Sequence, residues 1–224
     1  MLRELADDLF VTERPLRFAG LEVGTRMTVI RLAGGELLLH SPVRLDAALR
    51  TRLEALGAPR FAVAPNRFHH LFVGEVVSSW PEVELYGAPG LERKRPDLAF
   101  REVLGDEPPK AWAGQLEQCL VAGFPLINEV VFFHPPTRTL VASDLAFQVG
   151  PETPTATRLF LRMAGVRQFG PTYLERLLAR DRAAARRSFE RILDWDFDRI
   201  VVAHGPVLES GGREALRAGY RWLL

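Results

Sequence analysis

Cysteine is nearly absent from this chain of 224 residues, with Cys119 the only one. That excludes an internal disulfide and a structural zinc site built on thiolates, and it fits a reducing compartment. An excess of either charge is also missing. The 29 basic and 28 acidic residues leave a formal net charge of +1, too weak a field to argue for nucleic acid or an acidic membrane surface as partner. Nowhere do about 18 apolar residues run together, and Met1 to Asp8 places acids where a signal peptide needs an apolar core. These absences predict a cytoplasmic chain. No solenoid-like repeat or low-complexity tract interrupts it, and its length suits one large core, so a single domain over residues 1–224 is expected.

What is present is strand and helix in alternation. The first 42 residues read as an antiparallel meander of Leu9 to Thr12, Leu16 to Val23, Met27 to Leu32 and Glu36 to His40, with Gly34 and Gly35 marking a hairpin in which both could take positive φ. Leu45, Leu49, Leu53 and Leu56 lie at helical spacing before Gly57, a residue suited to a C-terminal cap. Strands at Phe61 to Ala64 and Glu84 to Tyr86, with a helical turn over Val76 to Trp80 between them, give a β-α-β rhythm. Residues 91 to 110, rich in proline and charge, read as a connection. Strands at Leu116 to Val121, Glu129 to Phe133 and Thr139 to Ala142 follow. The helices Arg158 to Met163, Thr172 to Ala179 and Asp181 to Leu193 come next, the last with Ala185, Phe189, Ile192 and Leu193 on its apolar face. A strand from Arg199 and a helix from Arg213 to Leu223 close the chain.

Three of these apolar strands end on metal-binding chemistry. Phe61 to Ala64 opens onto Pro65-Asn66-Arg67-Phe68-His69-His70, Leu140 to Ser143 ends on Asp144, and Ile200 to Ala203 ends on His204 with a turn through Gly205-Pro206. Imidazoles and a carboxylate suit zinc, iron or manganese, and strand-end loops are where such sheets place their sites. His69, His70, Asp144 and His204 are therefore the candidate ligands.

This order of elements resembles the metallo-β-lactamase fold superfamily. Ala203-His204-Gly205-Pro206 is similar to its late Gly-His-Gly-Pro motif, and Ser143-Asp144 to its Gly-Asp strand end. The resemblance implies an α/β fold of the α+β kind, a four-layer αββα sandwich with two mixed sheets flanked by helices. The superfamily's His-x-His-x-Asp-His signature is degenerate here. Pro65 and Arg67 stand in place of the first two histidines, His69 in place of the aspartate, and only His70 matches. A further ligand histidine is missing near Phe124-Pro125-Leu126. The chain is similar to a divergent branch of unknown function, DUF4336-like, which shares the Pro-Asn-x-x-His-His loop. The resemblance thus implies at most one metal ion.

Two functions follow as expectations. One is a mononuclear metal-dependent hydrolase, with the ion at His70, Asp144 and His204 together with His69, and with Arg67 binding a small anionic substrate. The other is a metal-free, non-catalytic member serving as a binding or scaffold protein, its Asp144 engaged by Arg67 or His70. The internal Arg67–Asp144 pair is favoured over substrate contact, whereas His69 stands evenly between ligand and solvent-facing neighbour. His40 is expected to brace the site loops by hydrogen bonding, and His134 to carry no chemistry. Neither Ser41 nor Ser143 sits in the glycine elbow of a nucleophile. The segment Leu159 to Met163 either covers the site or packs on a second chain. The substrate and the oligomeric state have no motif of their own.

Overall fold

The computed structural model describes all 224 residues. Two hairpins open it: β1 (Arg3–Ala6) with β2 (Leu9–Arg14), and a short ribbon of β3 (Arg17–Phe18) with β4 (Leu21–Glu22). The ribbon divides the segment Leu16 to Val23 at the Gly20 break, where Ala19 and Gly20 take φ of 47° and 82° and reverse the chain. β5 (Thr25–Arg31) and β6 (Glu36–His40) follow, and of the two glycines between them only Gly35, at φ 80°, is left-handed.

From β6 onward the connections become parallel crossovers through α1 (Ala47–Leu56), β7 (Ala58–Ala64), α2 (Val73–Ser79), β8 (Glu84–Gly87), α3 (Leu91–Lys94) and β9 (Phe100–Val103). The Asp46 carboxylate caps α1 by accepting the Leu49 N–H at 2.7 Å, and Leu49 and Leu53 bury its apolar face. Gly57 closes this helix without a left-handed turn. Its φ is 169°, and glycine is needed because a Cβ would collide with the Gly35 carbonyl. The large sheet runs β1-β2-β5-β6-β7-β8-β9. Its last strand and α3 occupy the segment read from sequence as a plain connection.

The second sheet is built from β10 (Glu117–Leu120), β11 (Val130–His134) and β12 (Thr139–Val141). The excursion that follows comprises β13 (Phe147–Gln148), α4 (Thr155–Met163), β14 (Phe169–Gly170), α5 (Tyr173–Leu178) and α6 (Arg182–Asp194). β15 (Arg199–Val201) then returns to lie parallel to β12, and α7 (Gly212–Gly219) follows. Alternation along β11 and β12 sets the layers. Val130, Phe132 and Val141 join the large sheet and helices α1 and α2 in one core, while Val131, Phe133 and Leu140 join Phe189 and Ile192 of α6 and Leu216 of α7 in another. The mixed sheets thus pack face to face with helices outside, the αββα arrangement that the sequence order implied.

Candidate metal centre

Register brings two of the site residues together. β12 and β15 pair in parallel with Val141 opposite Val201, and Asp144 and His204 each stand three residues beyond that pair. The ladder carries on past the strands, with the Ala142 N–H on the Val201 carbonyl at 2.9 Å and the Ala203 N–H on the Ser143 carbonyl at 3.2 Å. The third residue arrives from the large sheet. After β7, the loop is stapled to the second sheet by the Val130 N–H on Pro65 O at 2.8 Å and the Arg67 N–H on Ile127 O at 3.0 Å. Asn66 Oδ1 accepts the N–H groups of Phe68 and His69 at 2.8 and 2.9 Å, a local turn that aims His69 inward.

The result is a group of His69, Asp144 and His204 whose candidate ligand atoms all lie within 4.8 Å of one another. The Nε2 atoms of His69 and His204 each stand 3.3 Å from the same oxygen, Asp144 Oδ1. His204 Nδ1 faces the Gly24 carbonyl at 2.8 Å. That carbonyl can only accept, so Nδ1 carries a proton, and a neutral ring turns its Nε2 lone pair on the carboxylate. Two lone pairs aimed at each other require a cation between them or a second proton on the ring. His69 Nδ1 is bonded to Ser41 Oγ at 2.7 Å, and Phe147 stacks on the His204 ring at 5.4 Å with an interplanar angle of 15°. Each imidazole is thus fixed through its remote nitrogen, as in metal-binding histidines.

Behind Asp144 lies a residue that sequence reasoning had placed only as the start of a strand. Glu129 is buried, and it accepts the Ser143 N–H at 2.6 Å, the Asp144 N–H at 2.9 Å and Asn66 Nδ2 at 3.2 Å. Asn66 Nδ2 also donates to Asp144 Oδ2 at 2.9 Å, bridging the two carboxylates. Burial, then the Asp144 charge, raise the Glu129 carboxyl above its ordinary range, and its three donors offset them only in part. For Asp144 burial also pushes upward, but when the facing rings carry a second proton the pull of His69 and His204 outweighs it and holds this carboxyl well below the usual range. The signal for Glu129 in the sequence was an acid opening an apolar run, Glu129 to Phe133.

Arg26, on β5, is likewise buried and had no role in the sequence reading. Its guanidinium donates to the Val202 and Gly205 carbonyls on either side of His204 and pairs with Glu13 at 2.7 Å. Glycine is required at 205, where φ is 89° and a Cβ would collide with the Gln148 carbonyl.

Other expected site residues lie elsewhere. His70 is outside the group: its Nδ1 stands 3.2 Å from Arg95 Nη1, and burial, helped by the Lys94 and Arg95 charges, lowers its pKa to about 4. Adjacent residues diverge, and the Asn66 turn selects His69. Arg67 makes no ion pair with Asp144; it donates to the Pro125 carbonyl at 3.1 Å, and its buried Nε has no partner. His40 does not brace a site loop through Nε2, which has no partner; its ring lies edge-on to Phe132 at 5.3 Å. His134 Nδ1 meets Thr137 Oγ1 at 2.8 Å within its turn. A cleft of about 620 Å³ opens beside the group, with His204, Phe147, Arg26 and Gly24 in its walls.

The family model described as Domain of unknown function (DUF4336) matches residues 6–166, and the chain belongs to that family. No curated protein matches the sequence. Among solved structures, a metallo-β-lactamase from Pontibacter korlensis is similar at TM-score 0.69 and 13% identity, covering 100% of this chain and 98% of the other. The metallo-β-lactamase FIM-1 from Pseudomonas aeruginosa in its mono-zinc form matches at TM-score 0.68 and 14% identity, over 100% and 94% of the two chains. A metal-soaked Flv1 flavodiiron core from Synechocystis gives TM-score 0.72 and 17% identity, over 100% of this chain and 60% of that one. The fold is that of the metallo-β-lactamases; likeness at these identities carries no chemistry with it. No helix is long and apolar enough to cross a membrane.

Proposed function

We propose that this protein is a metal-dependent hydrolase with one metal position, held by His69, Asp144 and His204. The observation that carries the reading is the pair of Nε2 atoms facing Asp144 Oδ1, each at 3.3 Å. A tetrahedral site with bonds of about 2.0–2.1 Å spaces its ligand atoms about 3.3 Å apart. Two nitrogens and one oxygen suit zinc, iron or manganese. Three protein ligands also leave a coordination position open, as catalytic rather than structural sites do. When bound, such an ion supplies Lewis acidity, polarising a substrate oxygen and acidifying water.

The chain's own groups set the conditions for that chemistry. The Gly24 carbonyl and Ser41 fix the two rings, while Asn66 holds Asp144 Oδ2 so that Oδ1 faces the imidazoles. Glu129 fixes the Asp144 backbone, and Arg26 fixes the turn that carries His204. The cleft beside His204 has the volume of a small-molecule site. Arg67, two residues before His69 on the same loop and without a carboxylate partner, is the group we assign to negative charge on a small anionic substrate.

Metal analysis of protein purified without chelator and incubated with zinc, iron or manganese salts tests the reading. About one ion per chain is expected, and less than about 0.1 ion per chain for all three metals removes it. Hydrolysis of chromogenic ester, amide and phosphodiester substrates should then be abolished by chelation and restored by metal. A metal-free scaffold is the second reading, favoured by the contacts that Asn66, His69 and His204 already make to Asp144. Under it, His204→Ala alters melting temperature but no activity.

A further inference from the structure

Thr157 and Leu161 on the inner side of α4 line the cleft beside His204, but the outer side of α4, with α5, carries an apolar surface that the fold leaves uncovered. On α4, Leu159, Phe160 and Met163 are 59%, 48% and 67% exposed; on α5, with the same i, i+1, i+4 spacing, Tyr173, Leu174 and Leu177 are 53%, 59% and 76% exposed. No residue of α5 is buried. The helices are tied together by the Tyr173 N–H on the Ala164 carbonyl at 2.7 Å, and the Tyr173 ring lies so close to Gly165 that a Cβ there would meet it at 2.7 Å. The other side of α4 is anchored, with Leu161 buried and Thr157 Oγ1 donating to the Glu22 carbonyl at 2.7 Å. The six side chains therefore project from the body of the protein on a fixed base.

Charge on this segment is one-sided. Residues 155 to 180 hold five arginines and a single acid, Glu175, whose carboxylate is used in the capping box of α5. Arg158 donates to the Pro151 and Thr153 carbonyls, and Arg176 lies over the Tyr173 and Trp222 rings. Arg162, Arg167 and Arg180 are exposed; none takes part in the chain's ion pairs. The near-zero net charge of the whole chain, which argued against an acidic membrane surface, averages this cluster away.

We propose that the α4–α5 surface docks on an anionic lipid bilayer, its six apolar side chains entering the interface and the three free arginines facing lipid phosphates. Apolar burial and attraction to anionic lipid add in such contacts. A second copy of the chain fits less well, because a two-fold contact brings the surplus positive charge against itself. The proposal does not depend on the metal reading.

Sedimentation of the full chain with vesicles of phosphatidylcholine, alone or mixed with phosphatidylglycerol, tests it. Binding to the mixed vesicles, weakened by salt, is expected. Both Leu159→Asp/Leu177→Asp and Arg162→Glu/Arg167→Glu/Arg180→Glu should weaken it by about tenfold or more. Circular dichroism melting should leave both variants near wild type, since every substituted side chain is exposed. No binding to mixed vesicles, equal binding to both kinds, or unweakened binding by either variant overturns the proposal. So does a dimer seen by sedimentation equilibrium that Leu177→Asp abolishes, which assigns the surface to a second copy.

Discussion

The Glu129 carboxyl group accepts the backbone N–H of Asp144 at 2.9 Å, so the site aspartate is held from behind by a second, buried acid. Glu129→Gln keeps the shape but turns an amide NH₂ towards backbone N–H groups that need an acceptor. Leaving one buried donor unpaired costs about 1–3 kcal/mol, and a lower melting temperature at neutral pH is expected. The pH slope should change as well. Because burial and the Asp144 charge raise the Glu129 carboxyl above its ordinary 4.5, the folded chain retains a proton that the unfolded chain releases. This contribution is complete below that ordinary value and is lost as pH rises through the raised one. Glu129→Gln should remove it, and an unchanged slope would count against the raised carboxyl.

Single alanine substitutions at His69, Asp144 and His204 should each abolish the rise in melting temperature on adding zinc or manganese, whereas His70→Ala should retain it. The distinction tests the ligand set directly, because His69 and His70 are neighbours and only one belongs to the group. In wild type the gain should be present near pH 7.5 and absent near pH 5.5, where protons compete with the ion for imidazole nitrogens. Loss of the gain in His70→Ala with retention in His69→Ala would reverse the assignment.

Acid sensitivity of the metal-free protein should trace in large part to His40. Burial, then the charge of nearby His69, lowers its pKa from 6.5 to about 3. Below pH 6.5 the unfolded chain takes up a proton that the folded chain refuses, so stability is lost as pH falls. At about 1.4 kcal/mol per pH unit, this one group removes roughly 2 kcal/mol between pH 6.5 and 5. His40→Leu keeps the packing against Phe132 and removes the orphaned Nε2. It should be more stable than wild type at pH 5, by a larger margin than at pH 7.5.

The layers and the strand-end chemistry were legible because apolar runs and their terminal residues are local properties. Asp144 and His204 could be named, but their convergence depends on the Val141–Val201 register, which no local pattern encodes. The choice of His69 over His70 turns on Asn66 accepting two N–H groups, a conformational fact hidden in a residue read only as loop. β9 was missed because Phe100 to Val103 is a largely exposed edge strand, so burial leaves no alternation to read. Arg67 was expected on Asp144; the strand-end loop instead carries it to the Pro125 carbonyl.

Cys119 should behave as an inert core residue. Its buried thiol is pushed up to about 12 by burial, then by the nearby Asp106 charge, and the thiolate is the reactive form. Ellman's reagent should label no thiol in the native protein over the time in which it labels one per chain in denaturant. Rapid native labelling would mean that β10 opens readily from α6.

Arg26 joins the two sheets at the point where the site needs rigidity, since it sits on β5 and bonds the carbonyls flanking His204. Arg26→Met fills similar space but leaves the Val202 carbonyl, and in part that of Gly205, without a donor, while the half-exposed Glu13 can turn to water. A stability loss of about 1–3 kcal/mol follows from the orphaned acceptors, with a tenfold or greater loss of metal affinity from the loosened His204 turn, in line with about 10–100-fold for positioning groups around metal ligands. Lysine retains the charge but lacks the fork that reaches two carbonyls, so Arg26→Lys should recover stability more than affinity. Metal titration followed by melting separates the effects. Full affinity in Arg26→Met would show that β13, through the Gln148 N–H on the His204 carbonyl at 3.2 Å, holds the turn unaided.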